Sequence, residues 1–352
     1  MPKICYKSKR FGSDARDCIS TVNAIVADYA RQGFDLTLRQ VYYQLVARDL
    51  FPEGHKWSMS GSRWVRDPNG TVNAEPNYAW LSVVLNQARL AGLIDWKYIV
   101  DRTRNLEERS HWKTPAAIIR TCATAYNRDL WAGQPYRPEV WIEKDALKGV
   151  FEGVCTRNDV PYFSCRGYTS QSEMWAAAQR IFYHLQQPAP DGPNVVIFHF
   201  GDHDPSGLDM SRDIEDRLKG FLAYHLAEDR GYDPTDKDEL EYGKEEVEER
   251  FEVRRIALTR EQITQYNPPP NPAKKTDARF KRYVRETGLD ESWELDALDP
   301  TALVDLVEES LTDIRNEEKW DKATKAEELE RNQLSRTADK WSDVLRVLRG
   351  EL

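Results

Sequence analysis

The sequence lacks the features of several protein classes. No run approaches the roughly 18 apolar residues that span a membrane, and the start MPKICYKSKRFGSD lacks the apolar stretch of a secretory signal. The five cysteines, at positions 5, 18, 122, 155 and 165, form no CxxC pair, and an odd, scattered set is a poor disulfide framework. We therefore expect reduced thiols and a cytoplasmic protein without a membrane partner.

The 352 residues, of which 40% are hydrophobic and 31% charged, are typical of a globular protein of roughly two domains. The net charge of −9 is unevenly distributed. Residues 1–138 carry 20 Lys and Arg against 13 Asp and Glu, a net of +7, so residues 139–352 carry 30 against 46, a net of −16. A basic N-terminal part is suited to nucleic acid, whereas the acidic remainder either holds metal ions or faces water.

The N-terminal pattern predicts three helices, over residues 14–32, 37–46 and 77–91. The polar residues 51–76 between the last two predict a loop. Residues 93–100 are strand-like, are followed by Arg102 and Arg104, and would form a wing. We therefore interpret residues 1–138 as a winged-helix DNA-binding domain.

Short apolar runs then alternate with helical patterns. Strands are predicted at 140–142, 161–165, 194–200 and 251–258, which indicates an α/β domain with a largely parallel, Rossmann-like sheet over residues 139–311. Residues 230–252 contain ten acids and four bases and predict a solvated acidic insertion. Residues 312–352 form a charged helical tail.

Three acids follow two of the predicted strands. Glu143 follows the first, and Asp202 and Asp204 follow the strand 194–200. Ligands bind beyond the carboxyl ends of strands in open α/β sheets, and carboxylates suit Mg²⁺ or Mn²⁺. Two alternatives stay open: the two aspartates only form a turn and cap the next helix, or His199, His203 and Asp204 bind zinc.

Two segments resemble a known domain. Glu139 to Ala146 (EVWIEKDA) and Gly201 to Leu208 (GDHDPSGL) are similar to the Toprim motifs, approximately VVEKDA and DGDPYG, of topoisomerase VI A subunits and their meiotic DNA-breaking relatives. The segment 293–300 (WELDALDP) looks like one in shorter bacterial and phage relatives. The resemblance implies that Glu143, Asp202 and Asp204 bind Mg²⁺. His203 and Ser206 depart from the family pattern, but neither is a ligand.

Residues 37–43 (TLRQVYY) resemble the segment that carries the nucleophilic tyrosine of this family, and Tyr43 is the residue that aligns with it. Arg39 lies one helical turn before it, so its guanidinium can sit beside the phenol or a phosphate. The apolar stripe of this helix excludes Tyr43, which we therefore expect on an exposed flank. The alternative is an ordinary, partly buried helix aromatic.

The resemblance implies Mg²⁺-dependent cleavage of double-stranded DNA through a tyrosyl–DNA linkage, with Glu143 relaying the proton. It also implies a homodimer in which Tyr43 of one protomer works with the metal site of the other. The chain has no P-loop, so any ATPase is a separate partner. Alternatives are a Toprim nuclease that uses a metal-activated water, or a DNA-binding subunit inactive without a partner. The candidate DNA contacts are Arg89, Lys97, Arg102, Arg104, Lys274 and Lys275.

Overall fold

The computed structural model describes residues 3–100, 110–187 and 192–351. Helices α1 (Ser13–Arg31), α2 (Leu38–Ala47) and α3 (Glu75–Leu90) pack around one apolar cluster and confirm the three predicted N-terminal helices. Thr37 begins α2 with a capping box, since its side chain accepts from Gln40 N–H and the Gln40 side chain accepts from Thr37 N–H.

The predicted wing is misplaced. Residues 93–100 form no strand; Leu36 and Ile99 share one isolated bridge, and Ile94 and Ile99 are buried in the helical core. A hairpin occurs instead within the expected loop, where β1 (Trp57–Ser60) pairs antiparallel with β2 (Arg63–Arg66). Ile94 and Ile99 thus fill the core between helices rather than one face of a strand, whereas Leu93 and Trp96 remain exposed.

The C-terminal part contains a parallel four-stranded sheet, as the sequence predicts. Its strands are β3 (Tyr136–Ile142), β4 (Tyr162–Ser164), β5 (Asn194–Phe200) and β6 (Phe251–Ala257), in the order β4-β3-β5-β6. One face packs against α5 (Lys148–Arg157), and the other against α6 (Gln171–Leu185) and α7 (Pro205–Asp229). Because β3 begins at Tyr136, the boundary expected after residue 138 falls inside a strand.

The acidic segment 230–252 is largely helical. Within it, α8 (Lys237–Arg250) packs closely along α7, where a side chain at Gly243 would clash with the Ala223 carbonyl. Buried Arg250 donates to the carbonyls of Leu185 and Pro193. The charges line the outer face of a packed helix, so the segment is part of the fold rather than a solvated insertion.

The remaining elements complete the two sides of the molecule. They are α4 (Pro115–Ala125), α9 (Arg260–Tyr266), β7 (Asn271–Pro272), α10 (Phe280–Thr287), β8 (Glu291–Ser292), α11 (Pro300–Ile314), α12 (Glu317–Asp339) and α13 (Trp341–Leu348). The charged tail is helical, as predicted, and α12 packs on α4, with Arg120 paired to Asp339 at 2.6 Å. Within the described ranges, no helix combines the length and apolar character needed to cross a bilayer.

Candidate active site

The carboxylates that follow β3 and β5 meet at one edge of the sheet. Ile142 and Phe200 are paired in register, so Glu143 and the loop from Gly201 emerge side by side. The Asp202 N–H donates to Glu143 Oε2 at 2.8 Å. A Cβ at Gly201 would lie only 2.9 Å from that same oxygen. Glycine at this position therefore leaves the space that the Glu143 carboxylate occupies.

The two aspartates of the loop have different roles. Asp204 caps α7, since its Oδ1 accepts from Gly207 N–H at 2.6 Å. Asp202 is buried, accepts from Leu295 N–H at 2.7 Å and pairs with Lys144 at 2.9 Å. The turn-and-cap alternative therefore describes Asp204 but leaves the burial of Asp202 unexplained.

A chain of ion pairs connects Asp202 to α2. The Lys144 ammonium contacts Asp202 Oδ2, Glu294 and, at 3.1 Å, Asp296 Oδ1. The Arg39 guanidinium pairs with Glu294 Oε2 at 2.6 Å and Asp296 Oδ2 at 2.9 Å. Two cations thus share two carboxylates, and this links the helical N-terminal part to the edge of the sheet.

The cluster carries an excess of negative charge. With all five carboxylates ionised (Glu143, Asp202, Asp204, Glu294 and Asp296), the cluster would hold two more negative charges than its three cations (Arg39, Lys144 and Arg255) balance. Burial raises the pKa of Asp202 to about 8, because the nearby carboxylates offset the opposite effect of Lys144. Burial, with Asp204 nearby, also raises the pKa of Glu143. The cluster therefore favours uptake of a proton or a cation.

Tyr43 is buried at the same junction, with only 5% of its surface exposed. The expected exposed flank is wrong, because the segment around Ala297 packs into the N-terminal core and covers this side of α2. Arg39 Nη2 lies 3.5 Å from the Tyr43 hydroxyl. Burial, together with Asp296 and Glu294, raises the pKa of Tyr43 to about 12, so its phenol is neutral at pH 7.

One cavity of about 610 Å³ brings the two halves of the site together. Tyr43 and Arg39 line one wall, and Asp204, Glu294 and Lys274 line the other. All these residues belong to one chain. The tyrosine and one member of the acidic triad therefore face the same space without a second protomer.

The segment 293–299 joins the two apolar cores. Trp293 exchanges backbone hydrogen bonds with His203, and Leu295 packs in the core beneath the sheet. Ala297 lies in the N-terminal core, and Asp299 accepts from the Tyr29 hydroxyl at 2.6 Å. Glu294 and Asp296 therefore reach the cluster from a segment that is anchored on both sides.

The candidate DNA contacts occupy different environments. Lys274 and Lys275 are exposed, and Lys97 is exposed with its ammonium 5.6 Å from the Tyr98 ring. Arg89 is partly buried and donates to the Ile99 carbonyl, so its guanidinium holds residues 93–100 in place. Arg102 and Arg104 lie outside the described residues.

The donors around the cluster are not arranged as a ready metal site. Among the residues that the structure describes, no group of three His, Cys, Asp or Glu side chains is arranged to hold a metal ion. The His199 ring bonds Ser211 and the His203 ring contacts the Leu258 carbonyl, so both serve packing and the zinc alternative gains no support. The carboxylate oxygens suit Mg²⁺ chemically, but Lys144 must leave Asp202 before all three acids can bind one ion.

Sequence reasoning assigned no role to Lys144, Glu294 and Asp296. All three lie within segments quoted for the family resemblance, but no ligand or catalytic pattern singles them out. The available signal is the alternation in residues 293–297, where acids at 294 and 296 stand between apolar residues. Such alternation predicts that the two acids share a face.

Comparisons of the chain with protein-family models, with curated proteins and with solved structures found no match. Function must therefore be inferred from the residues of the site.

Proposed function

We propose that the protein cleaves double-stranded DNA by transesterification, with Tyr43 as the nucleophile and Mg²⁺ or Mn²⁺ bound by Glu143, Asp202 and Asp204. The observation that carries this proposal is the cavity of about 610 Å³ that Tyr43 and Asp204 line together. In this proposal the N-terminal helices and the β1–β2 hairpin form a winged-helix domain. The sheet and its helices form a Toprim domain, as the sequence resemblance implies.

Tyr43 acts on a phosphodiester of the bound DNA. Its phenolic oxygen forms a bond to phosphorus while the bond from phosphorus to a deoxyribose oxygen breaks, and the departing oxygen takes up a proton. The phenol must lose its own proton, and its raised pKa makes a base necessary. The family resemblance implies that role for Glu143, which follows the strand paired with the one that leads to Asp202 and Asp204.

Arg39 binds the phosphate next to Tyr43. Its side chain is 44% exposed and lies on the cavity wall, where a phosphate can replace Glu294 or Asp296 as its partner. A planar guanidinium binds two phosphate oxygens at once, so this exchange also orients the DNA backbone.

The excess of carboxylates over cations in the cluster favours a divalent cation, in place of bound protons, beside Glu143, Asp202 and Asp204. Bound Mg²⁺ supplies charge stabilisation for the phosphoryl oxygens. To free Asp202 for the cation, Lys144 would give up its ion pair with Asp202. Lys144 would keep its contacts with Glu294 and Asp296.

The burial of Tyr43 favours a second candidate function. A phenol that is 5% exposed, with a pKa of about 12, is poorly placed as a nucleophile unless DNA binding opens the cavity. A Toprim nuclease would need the same acids and a metal-activated water, with no role for the phenol.

A single assay separates the two functions. Purified protein is incubated with supercoiled plasmid and Mg²⁺, stopped with detergent, and run on a gel with and without protease digestion. Transesterification predicts cleaved DNA that enters the gel at its normal position only after digestion of the attached protein. Cleaved DNA with free ends in both lanes indicates the nuclease, and binding without cleavage indicates a subunit that needs a partner.

A further inference from the structure

The β1–β2 hairpin presents an apolar face to the candidate active site. Met59 and Trp64 are directly paired across the two strands, so their side chains lie on the same face, and both line the cavity that contains Tyr43. Met59 is 53% exposed. A half-buried tryptophan and an exposed methionine beside a cluster of charged groups are a feature that neither the core nor the acidic site requires.

The base of the hairpin is firmly held. Trp57 Nε1 donates to Asn77 Oδ1 at 2.8 Å, and the Arg66 guanidinium lies 4.7 Å from the centre of the Trp57 ring. Asn77 is fully buried in α3 and donates to the carbonyls of His55 and Val72. The position of Trp64 over the cavity is therefore set by a buried hydrogen-bond network rather than by a loose loop.

Cations near this face can meet the phosphates of a nucleic-acid ligand. Residues 56–66 contain Lys56, Arg63 and Arg66, all exposed, and no acid. Lys274 contributes another cation from the opposite wall of the cavity. The cavity is lined by the cations Arg39 and Lys274 and by the acids Glu75, Asp204 and Glu294. A nucleobase that stacks on the indole can place its flanking phosphates against the two cations.

We propose that Trp64 is a stacking site for a DNA base adjacent to the phosphodiester that Tyr43 attacks, and that Met59 packs against the same nucleotide. This inference rests on the proposed function. A base can reach the indole only after it leaves the duplex stack, so binding must distort the DNA at this step. Steps that unstack easily should then be preferred.

The test uses binding, in the Tyr43→Phe background, so that cleavage plays no part. Trp64→Ala should weaken binding to a thymine-containing duplex by about 5- to 150-fold, the loss expected for one base–aromatic stack. It should also abolish the permanganate reactivity of an unstacked thymine in the complex. The salt dependence of binding should stay unchanged, since no phosphate contact is removed.

Val65→Ala is the matched control. Val65 is 43% exposed and, as the next residue of the strand, points to the opposite face of the hairpin. It should change neither affinity nor permanganate reactivity. Trp64→Phe keeps a ring that can stack and should retain most of the affinity and of the permanganate reactivity. Trp64→Leu keeps an apolar side chain and should fold, but it should lose affinity and permanganate reactivity as Trp64→Ala does.

The outcomes that overturn the inference are distinct. Equal affinity and equal permanganate patterns in Trp64→Ala and Val65→Ala overturn it and leave the proposed function standing. Unchanged DNA binding together with a loss of self-association in sedimentation would make the hairpin a contact between copies of the chain and also overturn it. A wild-type chain that does not bind DNA overturns the proposed function and the inference together.

Discussion

The two walls of the central cavity are built in different ways. Behind the α/β wall, where Asp204 lines the cavity, Glu143 and Asp202 follow buried parallel strands, so strand register fixes their separation. On the N-terminal wall, Arg39 and Tyr43 project from one face of α2 and are held to the other wall by ion pairs with Glu294 and Asp296. The acids therefore have a rigid frame, whereas Arg39 depends on ion pairs in which a substrate phosphate can replace a partner.

This difference places the adjustable part of the site at the junction. The Arg39–Glu294 pair is partly exposed and contributes little net stability, so replacing Glu294 by a phosphate costs little free energy. The side chain of Asp296 is fully buried and keeps its contact with Lys144. Moving Glu143 would require two buried strands to separate. We expect substitution of Tyr43 to change the rate of cleavage. Substitution of Glu294 at the junction should change the pH range in which cleavage occurs.

The largest effect is expected for Tyr43→Phe, which removes only the hydroxyl of the proposed nucleophile. Protein-linked DNA should disappear, a loss of at least about a thousandfold measured on denaturing gels after labelling of the DNA. Tyr42→Phe is the matched control, because its hydroxyl bonds Asn73 and Ala74 instead of facing Arg39. It should lower stability by about 1 kcal/mol and retain cleavage. Undiminished cleavage by Tyr43→Phe would show that Tyr43 is not the nucleophile.

Asp204→Asn should reduce cleavage by about a hundredfold and raise the Mg²⁺ concentration needed for half of the remaining rate. Asparagine still caps a helix, so the melting temperature should change little. Asp236→Asn, at the exposed N-cap of α8, is the control for the same exchange and should leave cleavage intact. If a lower melting temperature accounts for the lost activity, the role of Asp204 is only to cap α7.

Mixing the Tyr43→Phe and Asp202→Asn variants distinguishes a centre within one chain from one shared between protomers. Because Tyr43 and Asp204 of the same chain line one cavity, we expect the mixture to regain no cleavage. The measurement is plasmid nicking after subunit exchange. Recovery of single-strand nicks would instead assign each tyrosine to the acids of the other protomer, the arrangement that the family resemblance implies.

The smallest effect is expected for Glu294→Gln. Glu294 raises the pKa of Tyr43, so its neutralisation should lower that pKa, and cleavage should persist to lower pH, by less than about one unit. The loss of its ion pairs should cost about 1 kcal/mol of stability. Glu318→Gln, at an exposed site in α12, should change neither the pH profile nor the melting temperature. An unmoved profile would mean that Glu294 does not act on Tyr43 during the reaction.

The sequence predicted the two walls unequally well. Strands 194–200 and 140–142 are short apolar runs followed by acids, and such runs predict both the parallel sheet and the meeting of Glu143 with Asp202. The burial of Tyr43 could not be predicted from α2 alone, because the residues that cover it lie some 250 positions later in the chain. The hairpin was missed because its residues are polar and basic with single aromatics, a pattern typical of loops.

The segment from Trp293 to Asp299 has a consequence for how the chain can vary. Its residues alternate between side chains that pack in the two cores and acids that belong to the cluster. The number of residues in the segment must therefore match the distance between the two cores. Inserting one residue between Leu295 and Ala297 would turn Asp296 away from Lys144 or pull Ala297 out of its core. Most surface loops tolerate insertions and deletions. In this segment, we expect a change of length to disrupt the site as much as a substitution of its acidic side chains would.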